Sequence, residues 1–452
     1  MKKFRLYITV ILIITTISLQ SCKKYLDEKS DKTLVVPQTA DDLQALLDDN
    51  YTMNSQTPGF GETSSDDYFV QTGDYNSFSE FDQQAYTWRL TRYNYGNDWN
   101  YAYNAIFNAN YALAHIDEIK RKTADELIFN NVKGSALFFR GYYFLSLCWE
   151  YAKAYDENSS SKDLGIILRL GDDFNVPSVR SSVAQSYKQV INDLMESLSW
   201  LPVNSQHPMR PSKLAAYATL SRTYLSMRKY DSAFKYADLA LGINNELLDY
   251  NAQDVNLESD IPFFPFNKEI IFYTTESGDY TPKLSPYAFI DTTLYSLYDS
   301  NDIRKSIFFY QNGSYVNFKG SYSASTSPLF SGIATDEVLI TRAESNARLG
   351  KIDEAVNDLN TLLIKRWRTG TFTPIVTGSP EDILKIILIE RRKELLMRGL
   401  RWIDIKRLNK EGASIIPTRI VGADNYHLAP NENRYALPLP DDIIKLTGVS
   451  QN

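Results

Sequence analysis

The sequence predicts a mostly α-helical protein in which antiparallel helical pairs stack as a solenoid, interrupted by long aromatic-rich loops. Three observations carry that prediction. Apolar residues recur at helical spacing in segments at 39–47, 98–120, 124–155 and 182–201, and again at 379–408. A helical-pair pattern with small residues at matching points occurs twice, at 213–243 and 335–364. Two stretches, 54–97 and 244–334, instead crowd aromatics among Gly, Ser, Asn and Asp or among helix-breaking prolines.

Taking the elements in order, Lys2, Lys3 and Arg5 precede an apolar run at 6–17. That run is too short for a bilayer, which needs about 20 residues. It ends in Leu19-Gln20-Ser21-Cys22, which resembles a bacterial lipobox. Residues 1–21 therefore read as a lipoprotein signal peptide and Cys22 as the lipidation site. The charged segment 22–36 reads as a solvated tether, and 37–452 as a single domain. The other cysteine, Cys148, sits in the apolar run Phe144-Leu145-Ser146-Leu147-Cys148-Trp149 and reads as a small core residue, so no disulfide framework is predicted.

The first helix opens at Thr39 with Asp41 and Asp42 in its first turn, where the helix dipole favours acids. Trp99, Tyr103, Ile106, Asn110 and Leu113 give the second its period, and Leu137, Phe138, Tyr142, Leu145 and Trp149 give the third a broad apolar face. The fourth stops at Pro202. The repeated pairs follow: Tyr224, Met227, Tyr230, Ala233, Ala237 and Ala240 in one, and Leu349-Gly350, Ile352, Ala355, Leu359 and Leu362 in the other. Both resemble the tetratricopeptide helix–turn–helix, in which small residues let two antiparallel helices approach closely. Long insertions in such a solenoid gather on one face, often the binding face.

Composition narrows the function classes. The 452 residues are 43% hydrophobic, enough for a large core, and the net charge is −7 with acids and bases mixed. No basic block follows a phosphate backbone, which argues against nucleic acid. Tyr 31, Phe 22 and Trp 6 make up 13% of the chain, more tyrosine than a core requires. No G-x-S-x-G elbow, H-E-x-x-H helix or phosphate loop occurs. His115, His207 and His427 are widely spaced and read as surface or helix-capping residues, so no metal site and no cofactor is predicted. In the C-terminal helix, Glu390, Glu394 and Arg398 fall four apart and Arg401, Asp404 and Arg407 three apart. They read as an ion-pair ladder fastening that helix to the solenoid rather than as an acid/base site.

Several segments in order resemble the SusD/RagB family. These are Tyr25-Leu26-Asp27 after the lipobox; Trp99, Tyr103, Ile106 and Ala109-Asn110; and Lys133-Gly134-Ser135-Ala136-Leu137-Phe138-Phe139-Arg140-Gly141-Tyr142-Tyr143. They continue with Lys213-Leu214-Ala215-Ala216, Glu390-Arg391-Arg392-Lys393-Glu394-Leu395 with Gly399-Leu400-Arg401-Trp402, and Tyr435-Ala436-Leu437-Pro438-Leu439-Pro440. Gly134-Ser135 departs from the family's usual Gly-Glu, and the final tail is short. The resemblance implies a lipid-anchored outer-membrane protein that captures an oligosaccharide, or in some members a peptide, for a SusC-like TonB-dependent transporter. It implies no enzyme activity. Glu62-Thr63-Ser64-Ser65-Asp66-Asp67 resembles the loop before the first ligand-facing region, which makes Asp66 and Asp67 candidates for ligand hydroxyls. Exposed aromatics of the insertions are the candidate stacking platforms: Trp88, Tyr93, Tyr95 and Trp99, with Tyr280, Tyr287 and Tyr322. Two rivals remain: a helical glycoside hydrolase using the paired carboxylates Asp66-Asp67 or Asp172-Asp173, and a scaffold without small-ligand binding.

Overall fold

The computed structural model describes residues 37–452 except 95, 121–124, 278–279 and 377. Cys22, the signal peptide, the tether and Tyr95 lie outside the described residues.

The body is helical, as the sequence predicts. Helix α1 (Ala40–Leu47) starts at a capping box: the Thr39 side chain accepts from Asp42 N, and the Asp42 carboxylate accepts from Thr39 N. Helix α2 (Asp98–His115) is capped by Asn97 and buries Ala102, Ala105, Ala109 and Ala112. That small stripe lets it lie close to α3 (Glu126–Tyr151), whose residues are buried almost all round from Ser135 onward. Glycines open the other side of α3. A Cβ on Gly134 would meet Leu201 at 2.8 Å, and one on Gly141 would meet Leu194 of α4 (Val183–Ser197) at 3.1 Å.

Two further hairpins follow, α5 (Lys213–Ser226) with α6 (Tyr230–Leu241) and α7 (Thr335–Arg348) with α8 (Ile352–Leu363). Each reverses beside a residue in the left-handed region, Arg228 at φ 60° and Gly350 at φ 77°. Ala233, Ala237, Ala240 and Ala355 are fully buried between the paired helices.

The C-terminal segment differs from the continuous helix expected over 379–408. It divides into α9 (Pro380–Glu394) and α10 (Arg401–Asn409), with Met397 at φ 56° and Gly399 at φ 70° between them. The break lets Gly399 N donate to Glu62 Oε2 at 2.8 Å. The expected ladder along one helix face is also corrected. Glu394 pairs with Arg304 and Arg366, Glu390 with Arg304, Arg398 with Asp336, and Arg401 with Asp66; Asp404–Arg407 follows the local spacing, as does a pair not expected, Glu390–Lys393. The reason is burial. On an exposed helix the nearest opposite charge is a turn away, whereas here other elements press their own charges against the helix.

The insertions are not structureless. Residues 54–97 hold short helices Phe60–Thr63, Thr72–Ser77 and Glu80–Tyr86 and a strand β1 (Tyr68–Phe69). Residues 244–334 supply β2 (Phe289–Ile290), β3 (Phe309–Asn312) and β4 (Tyr315–Phe318). Together they form one antiparallel sheet in the order β1-β2-β4-β3. A separate core fills the second insertion, built on Tyr250, Phe263, Tyr298, Phe308 and Phe330.

Candidate functional site

The strand that joins the two insertions is placed by arginines from the far end of the chain. Arg401 holds the Asp66 carboxylate in a fork, Nε to Oδ1 at 2.6 Å and Nη2 to Oδ2 at 2.9 Å. Arg392 Nε donates to Asp67 Oδ1 at 2.8 Å and Nη2 to Asp66 O at 2.9 Å. Burial alone would raise Asp66; Arg401 and Arg392 overcome it and hold the carboxyl well below its usual range. Arg419 donates to the carbonyls of Ser65 and Tyr68 and lies against the rings of Tyr68, Tyr86 and Trp88, 4.4 to 5.2 Å from their centroids. Beneath them, Asp98 accepts from Gly59 N and Phe60 N, both at 2.9 Å, fixing the first turn of the segment.

So fixed, β1 presents Phe69 outward. Cross-strand register puts Phe69, Phe289, Asn317 and Tyr310 on one face of the sheet, with Tyr315 and Asn312 two residues along on the same side. The opposite face, with Tyr68, Ile290, Val316, Phe318 and Phe309, is buried. On the outward face Phe69 stacks on Phe289 at 5.7 Å and meets Tyr315 edge-on at 5.0 Å, and Tyr315 stays 37% exposed. Asn317 secures the layer: its Nδ2 donates to Pro286 O and Ala288 O, and its Oδ1 accepts from Asn312 Nδ2 at 2.8 Å. Tyr287, next to β2, is half-buried and edge-on to Phe78 at 5.3 Å. Of these six, Phe69, Tyr310, Asn312 and Tyr315 reach solvent at least in part, while Phe289 and Asn317 are buried beneath them, and none of the six is a carboxylate or a histidine.

Most of the residues singled out from sequence lie elsewhere. Trp88 is 4% exposed, its indole N–H bonded to Ser64 O at 3.1 Å. Tyr93 is buried with its hydroxyl on Pro438 O. Trp99 is buried between Tyr103 and Tyr151. Tyr280 stacks on Phe81 and meets Phe60 edge-on, and Tyr322 donates to Glu269 beneath the Arg398 guanidinium. The expectation that these five are exposed platforms is corrected: each hydroxyl, indole or ring face is already occupied by the fold. Asp66 and Asp67 are likewise held by arginines, and Asp172 by His115 Nε2 at 2.9 Å. Only Tyr287 of the described aromatic candidates lies partly open beside the sheet.

Sequence reasoning missed Phe69, Phe289, Tyr310 and Tyr315. One signal was available: Asn312-Gly313-Ser314 separates two aromatic runs, and Gly313 takes φ 61° at the hairpin turn. Strands of two residues, such as β1 and β2, carry no readable period.

This fold can be set beside known proteins. A profile described as "SusD family" matches residues 266–451, and one described as "Starch-binding associating with outer membrane" matches 24–225. The chain belongs to the SusD/RagB family. SusD-like protein P2 of Formosa agariphila is 24% identical over 518 residues, covering 97% of each chain. A SusD superfamily protein of Bacteroides thetaiotaomicron superposes with a TM-score of 0.74 at 22% identity, over 92% of this chain and 99% of that one. A structure described as a putative sugar binding protein, from Bacteroides vulgatus, gives 0.74 at 20% identity, over 93% and 99%. At these identities the SusD structures share the fold with this chain.

Proposed function

We propose that this SusD-family protein binds an oligosaccharide on the outward face of the β1-β2-β4-β3 sheet and passes it to a TonB-dependent outer-membrane transporter, without cleaving it. The observation that carries the reading is the partly open pair Phe69 and Tyr315, seated on buried Phe289 with Asn312 beside them, on a sheet that both insertions build. A sugar ring has an apolar C–H face that packs on such rings, and its hydroxyls can pair with Asn312 and the Tyr315 hydroxyl at their edge. Solved relatives described as sugar or carbohydrate binding proteins support the ligand class. The hydrolase rival has nothing to favour it here, since Asp66 and Asp67 are engaged by Arg401 and Arg392.

Attachment is proposed at Cys22, where more than one acyl chain gives a stable anchor at about 0.8 kcal/mol per buried methylene. Among the described residues no helix is long and apolar enough to cross a membrane. Cys22→Ala is expected to move the protein from the membrane to the soluble fraction, as read by fractionation after a salt wash. Mild detergent extraction is expected to bring down a large β-barrel partner with it. Recovery of a monomer alone, under conditions that keep other membrane complexes intact, contradicts the transporter half of the proposal.

A further inference from the structure

A second cleft lies on the helical body, between α2, the loop at residues 168–179 and the C-terminal helix α11 (Asp441–Thr447). Its volume of about 370 Å³ falls within the range of small-ligand sites. Trp99 and Tyr103, 4.8 Å apart, belong to its lining together with Phe107 and Phe174. Phe107 and Phe174 stack at 4.9 Å with 26° between their planes, and Phe174 is 78% exposed.

The loop that carries Phe174 is held in place. Arg169 donates to Val176 O at 2.5 Å and to Asp173 O at 2.6 Å, Asn110 donates to Arg169 O, and His115 Nε2 pairs with Asp172. A large apolar ring is thus presented to solvent by a fixed backbone, so little ordering cost remains on binding. The same bonds tie the charged side chains of the lining to the loop itself, Arg169 to two carbonyls and Asp172 to His115, so neither side chain is turned freely into the cleft.

Polar groups remain available. Asn100 and Asn104 lie one helical turn apart on α2, and both line the cleft. Asn100 Oδ1 is buried behind it with no hydrogen-bond partner among the described residues. Asn104 is exposed. Flat rings with uncharged carboxamides are the recognition chemistry of a neutral sugar.

We infer that this cleft is a second binding site for a neutral oligosaccharide, separate from the sheet face. The ligand class rests on the glycan reading given above, while the site rests on its own geometry. A polysaccharide long enough to reach both sites is then held more tightly than either site alone would hold it.

Affinity electrophoresis of the full-length protein in gels containing amylopectin, laminarin, xyloglucan, levan or mannan tests this. It is followed by calorimetry with a heptasaccharide of whichever polysaccharide retards the protein. The paired substitution Phe174→Ala with Asn104→Ala removes exposed side chains, so folding is spared. It is expected to reduce retardation by about two- to tenfold and to lower the heptasaccharide stoichiometry from two to one. Phe69→Ala with Tyr315→Ala is expected to remove the other equivalent. A wild-type stoichiometry of one, unchanged by Phe174→Ala with Asn104→Ala, overturns the second site and leaves the sheet-face reading standing. If none of the five polysaccharides retards the wild-type protein, the glycan reading falls and this site falls with it.

Discussion

Tyr322 and Tyr315 come from the same insertion and meet opposite fates. Tyr322 lies beneath the Arg398 guanidinium, gives its hydroxyl to Glu269 and is 2% exposed. Tyr315 leans on two phenylalanines and leaves over a third of its surface open. The same contrast separates Trp88, one of three rings around Arg419, from Phe69 on the strand that Arg419 positions. In these insertions the rings that lie under Arg398 and Arg419 are buried and belong to the scaffold, whereas Phe69 and Tyr315 have no arginine over them and stay partly open. Most of the aromatic excess is therefore buried scaffold, and only a few rings remain open.

Breaking the scaffold side is expected to have the largest effect. Arg304 is fully buried and holds Asp302, Glu390 and Glu394 together. Arg304→Met leaves three buried carboxylates short of a partner, so a loss of about 3–5 kcal/mol is expected, read as a fall in denaturant midpoint. Trp88→Ala removes a buried indole from among Trp402, Ile405, Leu428 and Tyr435. Its expected cost is about 3–5 kcal/mol, with glycan affinity retained by whatever fraction stays folded. A stable Trp88→Ala protein with weakened binding would return Trp88 to the ligand site.

A pH effect of intermediate size comes from beneath the sheet. Burial, with Glu276 and Asp67 adding to it, pushes Glu62 up to about 8. Burial pushes Glu276 up to about 7. In the unfolded chain both ionise near the ordinary value of 4.5, so unfolding releases protons at any pH between. Their contribution to stability is therefore complete below about pH 4.5 and is lost as pH rises through about 7 to 8. Melting temperature is expected to fall from pH 5 to pH 8.5, and Glu62→Gln to flatten that decline. A melting temperature that climbs over this interval in the wild-type protein contradicts the placement of Glu62.

How far the sequence reveals this arrangement follows from the range of each interaction. Helix α1 is readable because Thr39, Asp41 and Asp42 are neighbours, and the hairpins because alanines repeat at fixed spacing. The break between α9 and α10 is harder to read. Gly399 hints at it, but the cause is Glu62, more than 300 residues away, accepting from its N–H. Whether a given aromatic is buried is harder still. Tyr68 and Trp88 are caged by Arg419, which no local pattern connects to them, so composition marks the aromatic-rich insertions but does not tell which of their rings stay open. Phe69, Phe289 and Tyr315 come together only when three strands from two insertions pair.

The most direct measurement is paired calorimetry and thermal unfolding of Phe69→Ala with Tyr315→Ala against the wild-type protein, using a bound oligosaccharide. Each ring contact removed is expected to weaken affinity by about two- to tenfold, with the melting temperature nearly unchanged because both side chains lie on the open face. Unaltered affinity for that oligosaccharide, or a collapse in stability comparable to that of Trp88→Ala, would show that the sheet face is scaffold and that the binding site lies elsewhere.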